Sequence, residues 1–277
     1  MDDLSSGKLR NLSSVKNDIQ VIKSSILDAK AVDKAVAGAD TVFHMAAKVS
    51  VVESVAKPEL YVRVNVAGLI QVLEMARKHH VRRFVFPSSA SVYSDADPPR
   101  KTEKSPLNPS SPYAVTKILG EALCRIFYEE HDVDTVSLRF FNIYGPRQDP
   151  SSPYSSVIPR FMDSLTKGKQ PMIFGDGKQT RDFINVEDAV NALILAAEVK
   201  TAAGEVFNIA SGKATTILDV FEAAKEATGS RIKPRFEVAR PGEVRHSCSS
   251  IAKARRVLGF KPNVGLRDGI LQILGVI

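Results

Sequence analysis

The residues best suited to moving a proton are Tyr113 and Lys117, in the segment SPYAVTK. They are four residues apart on a segment that reads as a helix, so both side chains leave one face. A phenol titrates near ~10 and is a poor base at neutral pH. A neighbouring ammonium favours the phenolate, so Tyr-x-x-x-Lys is a workable acid/base pair. Of the six tyrosines, only Tyr113 has a lysine four residues on. A second feature is FVFPSSASVY (84–93), where an apolar run ends in Ser88, Ser89 and Ser91. Ligands of open α/β sheets bind at the carboxyl ends of strands, which makes Ser89 a candidate partner for a substrate hydroxyl. Serines that merely form a turn are the alternative.

The elements that must position these groups alternate along the first half of the chain. DIQVIKS (18–24) reads as a short strand, DAKAVDKAVAGA (28–39) as a helix and DTVFHMAA (40–47) as a buried strand. A long helix is expected from Pro58 to His79, followed by the strand RRFVFPSS (82–89). A helix from Pro112 to about Glu130 and the strand TVSLRFFN (135–142) complete the series. Continuous apolar strands between amphipathic helices indicate an α/β fold with a parallel sheet covered on both faces. After YGPR (144–147) the elements shorten and Pro, Gly and Ser become frequent. The expected division is therefore a domain over 1–142 and a smaller lobe over 143–277, with segments of 178–210 returning to the first.

Composition narrows the class. The chain has 277 residues, 44% apolar and 25% charged, in keeping with an ordinary globular protein. Its longest apolar run, AVNALILAA (189–197), is too short to span a bilayer, and a cytoplasmic setting is expected. Cys124 and Cys248 lack ligand spacing, so no metal site is expected. Lys and Arg number 38 against 31 acids, a net charge of +7 that suits anionic ligands. The basic residues are scattered, with RKHHVRR (77–83) and KARR (253–256) reading as solvated helix ends, which argues against nucleic acid as the partner.

The segments DDLSSG, VFHMAA, NVAG, FVFPSSASVY, SPYAVTK, RFFNIYGPRQDP, GDGKQTRDFINVEDA and RPGEVRH follow one another in this order. Together they resemble the extended short-chain dehydrogenase/reductases, and among these the nucleotide-sugar epimerases of the UDP-glucose 4-epimerase type, over essentially the whole chain. The resemblance implies a Rossmann-like doubly wound parallel sheet with a smaller α/β substrate-binding lobe. It also implies tightly bound NAD, a UDP-sugar substrate, epimerisation at C4 through a transient 4-keto sugar, and a homodimer formed through the helices over 58–79 and 112–130; another nucleotide-sugar oxidoreductase or epimerase of the family, or a non-catalytic sugar-nucleotide-binding remnant, is the alternative.

By matching motifs, Tyr113 takes the proton of the sugar 4-hydroxyl, Lys117 lowers the phenol pKa and holds the nicotinamide ribose, and Ser89 hydrogen-bonds O4. Asp2 holds the adenine-side ribose, and Ser25, Ile26, Ala46, Ala47 and Asn65 fall on other cofactor positions. Ser25 stands where the family has an aspartate at the adenine. Asn142, Arg181, Arg240 and Glu243 fall on positions that hold the diphosphate and ribose, and arginine forks pair well with phosphate oxygens. Val157 lies in the loop SSVIP (155–159) that closes over the uracil, and Phe174 stacks near that base. Ser247 occupies the position whose size sets the room for an N-acetyl group. Ala90 and Ser91 replace the Asp-Glu of the sugar 4,6-dehydratases, which favours epimerisation over dehydration.

In the family, the acid at the start of DDLSSG closes the second strand, and a glycine-rich loop lies about 20 residues earlier. No Gly-x-x-Gly-x-x-Gly occurs in these 277 residues. The expectation is that Met1 is an internal methionine and that the first two strands and first helix lie upstream. Without them DIQVIKS should be cut off from the sheet, DTVFHMAA should carry a free edge, and the 277 residues should be poorly soluble and lack NAD.

Overall fold

The computed structural model describes residues 1–93, 100–150, 156–239 and 245–276. The chain forms two compact units. The first comprises Met1–Ser94, Leu107–Arg139 and Ala196–Val206; the second comprises Asp95–Pro106, Phe140–Leu195 and Phe207–Ile277.

In the first unit, α1 (Ala29–Val36) begins at Asp28, whose carboxylate accepts the N–H groups of Lys30 and Ala31. Such a cap satisfies donors that the first turn leaves without partners. β1 (Thr41–Phe43) is followed by α2 (Gly68–Lys78), which buries Leu69, Val72, Leu73 and Ala76 along one stripe. β2 (Arg83–Ser89) leads to α3 (Pro112–His131), capped by Ser111 with Pro112 in its first turn. Asp132, at φ 53, ends that helix, and β3 (Thr135–Phe140) follows.

The four-stranded sheet has the order β1, β2, β3 and the strand Val206–Ile209. β1 pairs parallel with β2, Val42 facing Phe84. Ile26, Val32, Leu69, Leu73, Phe84, Phe86 and Phe127 form the core beneath it.

Two expectations are corrected. No strand forms over 18–24: only Lys23 joins a bridge, with Asp2, and Ile19 and Val21 are exposed. A strand exists by pairing, and beyond Asp2 no described residue offers this segment a ladder. The helix expected over 58–79 is present as one uninterrupted helical run, Pro58–Val62, a π-turn over Arg63–Ala67, and then α2. Inside the π-turn, the Asn65 amide is drawn to the backbone of Lys48, and such turns often mark functional sites. The strand expected over 135–142 breaks at Phe141, because Phe141 N–H bonds Ile209 O whereas Asn142 N–H bonds Asp182 O. The free edge of β1 is present among the described residues: β1 pairs only with β2, and Phe43 and Met45 are exposed.

The second unit contains β4 (Asn142–Tyr144), α4 (Val157–Thr166), β5 (Met172–Phe174), β6 (Phe183–Asn185), α5 (Ile217–Ala227), β7 (Arg235–Glu237) and α6 (Leu266–Leu274). β4 pairs parallel with β6, and β5 with β7. Phe161, Met162, Leu165, Phe183, Val220, Phe221 and Ile270 make its core. Thr216 and Asp219 cap α5 reciprocally. Among the described residues, no helix is long and apolar enough to cross a membrane.

α3 seats on β2 where Gly120 meets Phe86; a Cβ at 120 would collide with that ring. Replacing glycine by alanine in a helix gains about 1 kcal/mol from propensity. Overpacking a buried ring costs roughly 1–3 kcal/mol. Gly120→Ala is therefore expected to lower stability by up to about 2 kcal/mol in urea unfolding; a raised midpoint would show that Phe86 has room to yield.

Candidate active site

The residues expected to handle protons lie together in the first unit. Tyr113 and Lys117 project from successive turns of α3 and are buried, at 8% and 5% exposure. The Ser89 side chain, at the carboxyl end of β2, lies near enough to the Tyr113 hydroxyl to pull its pKa down. Ser89 Oγ also accepts the Ser91 N–H at 3.2 Å, which fixes its orientation. Lys117 Nζ donates to Pro87 O at 2.7 Å and lies 4.9 Å from the Phe86 ring centroid and 5.8 Å from that of Tyr113.

The electrostatics differ from expectation in one respect. Burial raises the Tyr113 phenol above its usual value, and the opposing influence is the hydrogen bond from Ser89 rather than the charge of Lys117. The ammonium is committed to Pro87 O and sits over aromatic rings. Burial also pulls Lys117 itself down to about 8. The expectation that Lys117 lowers the phenol is thus not met here, and Tyr113 is a neutral phenol at neutral pH.

The residues expected at a dinucleotide fall into two groups. Asp2 and the 23–26 segment are held side by side by backbone bonds, Asp2 N–H to Ile22 O and Ser24 N–H to Asp2 O. The Asp2 carboxylate accepts the Leu4 N–H and faces Gly7, where a Cβ would come within 3.0 Å of it. A side chain at 7 would crowd the carboxylate, so this cradle suits an acid kept open to a ribose. Ser25 Oγ accepts the Leu27 N–H, and buried Ile26 accepts from Gln71 through its carbonyl. Ala46 and Ala47 follow β1 and are half-buried. Asn65 is 4% exposed; its Oδ1 accepts the Lys48 N–H, and its Nδ2 donates to Lys48 O and Thr116 Oγ1. Its amide is thereby spent on holding the 46–48 loop against α3. These residues fit the adenosine and nicotinamide-ribose ends of NAD.

In the second unit, Asn142, Val157, Phe174 and Arg181 line one cavity of about 220 Å³, although they come from four separate elements. β4 supplies Asn142, α4 supplies Val157, β5 supplies Phe174, and the short strand before β6 supplies Arg181. Ser247 is tied through its N–H to Thr180 O, next to Arg181. Arg240 and Glu243 lie outside the described residues.

Sequence reading missed several contributors. Arg160 and Gln179 also line the cavity; Gln179 Nε2 donates to Phe174 O at 2.8 Å and so fixes that turn. Asp182 accepts from Ser211 N–H and Oγ, Gly212 N–H, Ser249 N–H and Cys248 Sγ. Burial raises the Asp182 carboxyl and these donors pull it back. The hub pins two loops beside Arg181, but its donors come from residues 211–249, so no local spacing signals it. Glu121 had a signal, since it stands four residues beyond Lys117.

Comparisons with known proteins identify the family. The sequence model of the NAD dependent epimerase/dehydratase family matches residues 3–210. The chain is 37% identical over 276 residues to a UDP-glucose 4-epimerase of Mycolicibacterium smegmatis, covering 98% of this chain and 88% of that protein. It is 35% identical over 271 residues to a dTDP-glucose 4,6-dehydratase of an Actinoplanes species, covering 96% and 82%. Among solved structures, a UDP-N-acetylglucosamine 4-epimerase from Methanobrevibacter ruminantium M1, in complex with UDP-N-acetylmuramic acid, superposes with a TM-score of 0.93 at 35% identity, covering 100% of this chain and 90% of that one. With its parallel α/β sheet, its Tyr113–Lys117–Ser89 cluster and a family match over three quarters of its length, the chain belongs to the NAD-dependent epimerase/dehydratase family, whose members act on nucleotide sugars.

Proposed function

We propose that this protein epimerises a UDP-hexose at C4, between UDP-glucose and UDP-galactose, through a transient 4-keto sugar. The observation that carries the reading is that Tyr113 and Lys117 are buried together on successive turns of α3, with Lys117 Nζ 5.8 Å from the Tyr113 ring centroid and tied to Pro87 O beside Ser89 at the end of β2. NAD, when bound, would supply the hydride acceptor and donor at C4. Tyr113 moves the proton of the 4-hydroxyl. Its phenolate, the minor form, takes that proton, and its phenol gives one back to the keto oxygen. Ser89 holds O4, and Lys117 holds the nicotinamide ribose. Asp2, Ser25, Ile26, Ala46 and Ala47 line the rest of the cofactor path, with Asn65 fixing the 46–48 loop.

In the second unit, Arg181 and Asn142 hold the diphosphate and ribose, joined by Arg240 and Glu243. Phe174 and Val157 enclose the uracil. Dehydration is the second reading, because a dehydratase is among the relatives. It is disfavoured by Ala90 and Ser91, which cannot serve as a carboxylate acid/base pair. Both cysteines are free and buried, in keeping with a cytoplasmic setting.

A homodimer is supported by apolar side chains left exposed on the first unit's helices: Val62 at 47%, Ile70 at 38%, Val115 and Leu119 at 42%, and Ile126 at 45%. Sedimentation velocity should give a dimer that Leu119→Glu dissociates; a monomeric wild type would remove this part of the reading.

Proton NMR of UDP-glucose incubated with the protein and added NAD tests the reaction. UDP-galactose should accumulate, and Tyr113→Phe should slow it by about 10²–10⁴-fold. A 4-keto-6-deoxy product would establish dehydration instead. Substrate range is set at Ser247, whose small side chain leaves room for an N-acetyl group, so UDP-N-acetylglucosamine should also turn over. Ser247→Tyr should lower kcat/KM for the N-acetylated sugar by roughly tenfold or more against UDP-glucose. An unchanged ratio would sink the assignment of this position.

A further inference from the structure

Three successive turns of α3 grip three successive residues of β2. Tyr113 meets Ser89, Lys117 donates to Pro87 O, and Glu121 accepts from Ser88 Oγ. The proposed chemistry uses the first two and leaves Glu121 without a part. Yet Glu121 is the most elaborately held of the three. Arg139 of β3 pairs with it bidentately, Nε to Oε1 at 2.9 Å and Nη2 to Oε2 at 2.6 Å. The remaining guanidinium nitrogen donates to Tyr93 OH at 2.8 Å, and the guanidinium stacks 5.0 Å from the Tyr93 ring centroid. The side chains are 5% and 7% exposed.

A buried ion pair is a poor way to fill a core, because desolvating both ions offsets much of their attraction. An apolar pair of the same volume would serve packing as well. The location of this pair suggests another use. The groups facing Lys117 are Tyr113, Glu121 and Cys124 on its own helix, Phe86 and Pro87 O on β2, and His44 at the end of β1, with Arg139 of β3 beyond Glu121. Burial pushes the Cys124 thiol up, so it is neutral at neutral pH. His44, stacked on Phe84 and Phe86, is held down to about 3 by burial and by the charge of Lys117, so it is neutral too. Glu121 is the one carboxylate among these groups.

We propose that Glu121 is a positioning residue: anchored by Arg139, it keeps the end of β2 in register with Tyr113 and supplies the counter-charge for Lys117. Burial favours a neutral lysine, and Cys124 and then Glu121, both on its own helix, oppose it. Ser88 carries the same anchor to Ser89 through one peptide unit. The inference rests on the proposed reaction only for what Lys117 does there.

The test reads Lys117 without substrate. Trace acetylation of the folded protein with acetic anhydride, across the neutral to alkaline range and read by mass spectrometry, gives the titration midpoint of each lysine. Lys117 should titrate near 8 in the wild type. Glu121→Gln should lower its midpoint by roughly one pH unit, and Glu121→Asp should restore most of the shift. Because Glu121→Gln leaves a buried arginine without its partner, Glu121→Gln with Arg139→Met is the second variant, and a smaller lowering is expected, since the opposing charge of Arg139 leaves with it. The alkaline limb of the kcat profile should move to lower pH in step. An unchanged Lys117 midpoint in a folded Gln variant would overturn the proposal. So would loss of folding in both Gln variants, which would assign the pair to stability alone. A wild type inert on UDP-sugars would defeat the proposed reaction while leaving the labelling result intact.

Discussion

Everything in the first unit depends on how closely α3 lies on β2. Gly120 has no side chain, so the helix settles directly onto the Phe86 ring. That close approach puts Tyr113, Lys117 and Glu121 within hydrogen-bonding reach of Ser89, Pro87 and Ser88. The distances are short because the two backbones have been brought together by apolar packing around Phe84, Phe86 and Phe127. Polar groups buried in such a contact must find partners or destabilise it. Here each polar residue on that helix face has one on the strand.

The same packing sets the charges. Burial moves titrating groups toward their neutral forms, so the phenol rises and the lysine falls. Proximity of an ammonium to a phenol therefore does not by itself make an acidic phenol. The lysine must also hold its charge, and where its Nζ is aimed at a carbonyl and aromatic rings its influence on the hydroxyl is weak. Hydrogen bonding from Ser89 has the more direct effect. The second unit solves a different problem by a similar device. Asp182 gathers donors from loops far along the chain, and so fixes the strand that carries Arg181.

The sequence by itself determined a good deal. The spacing of Tyr113 and Lys117 placed both on one helix face, and the serines after FVFP marked a strand end. Apolar runs between amphipathic segments announced a parallel α/β sheet, and the order of the short motifs pointed to the family. These are local properties: helix period, strand composition and capping chemistry are written in neighbouring residues. The strand over 18–24 failed on the same terms, since its residue types suit a strand but only a partner can make one.

Only the tertiary structure decided which distant residues act together. Asn142, Val157, Phe174 and Arg181 share a cavity because parallel pairing of β4 with β6 and of β5 with β7 brings four elements together. Arg139 reaches Glu121 because β3 lies beside β2, under the face of α3. Asn65 spends its amide on Lys48 and Thr116, contacts made across 17 and 51 residues of chain. Burial, and with it every shifted pKa, depends on this long-range packing. Desolvation is a property of the space around a group and not of its neighbours in sequence.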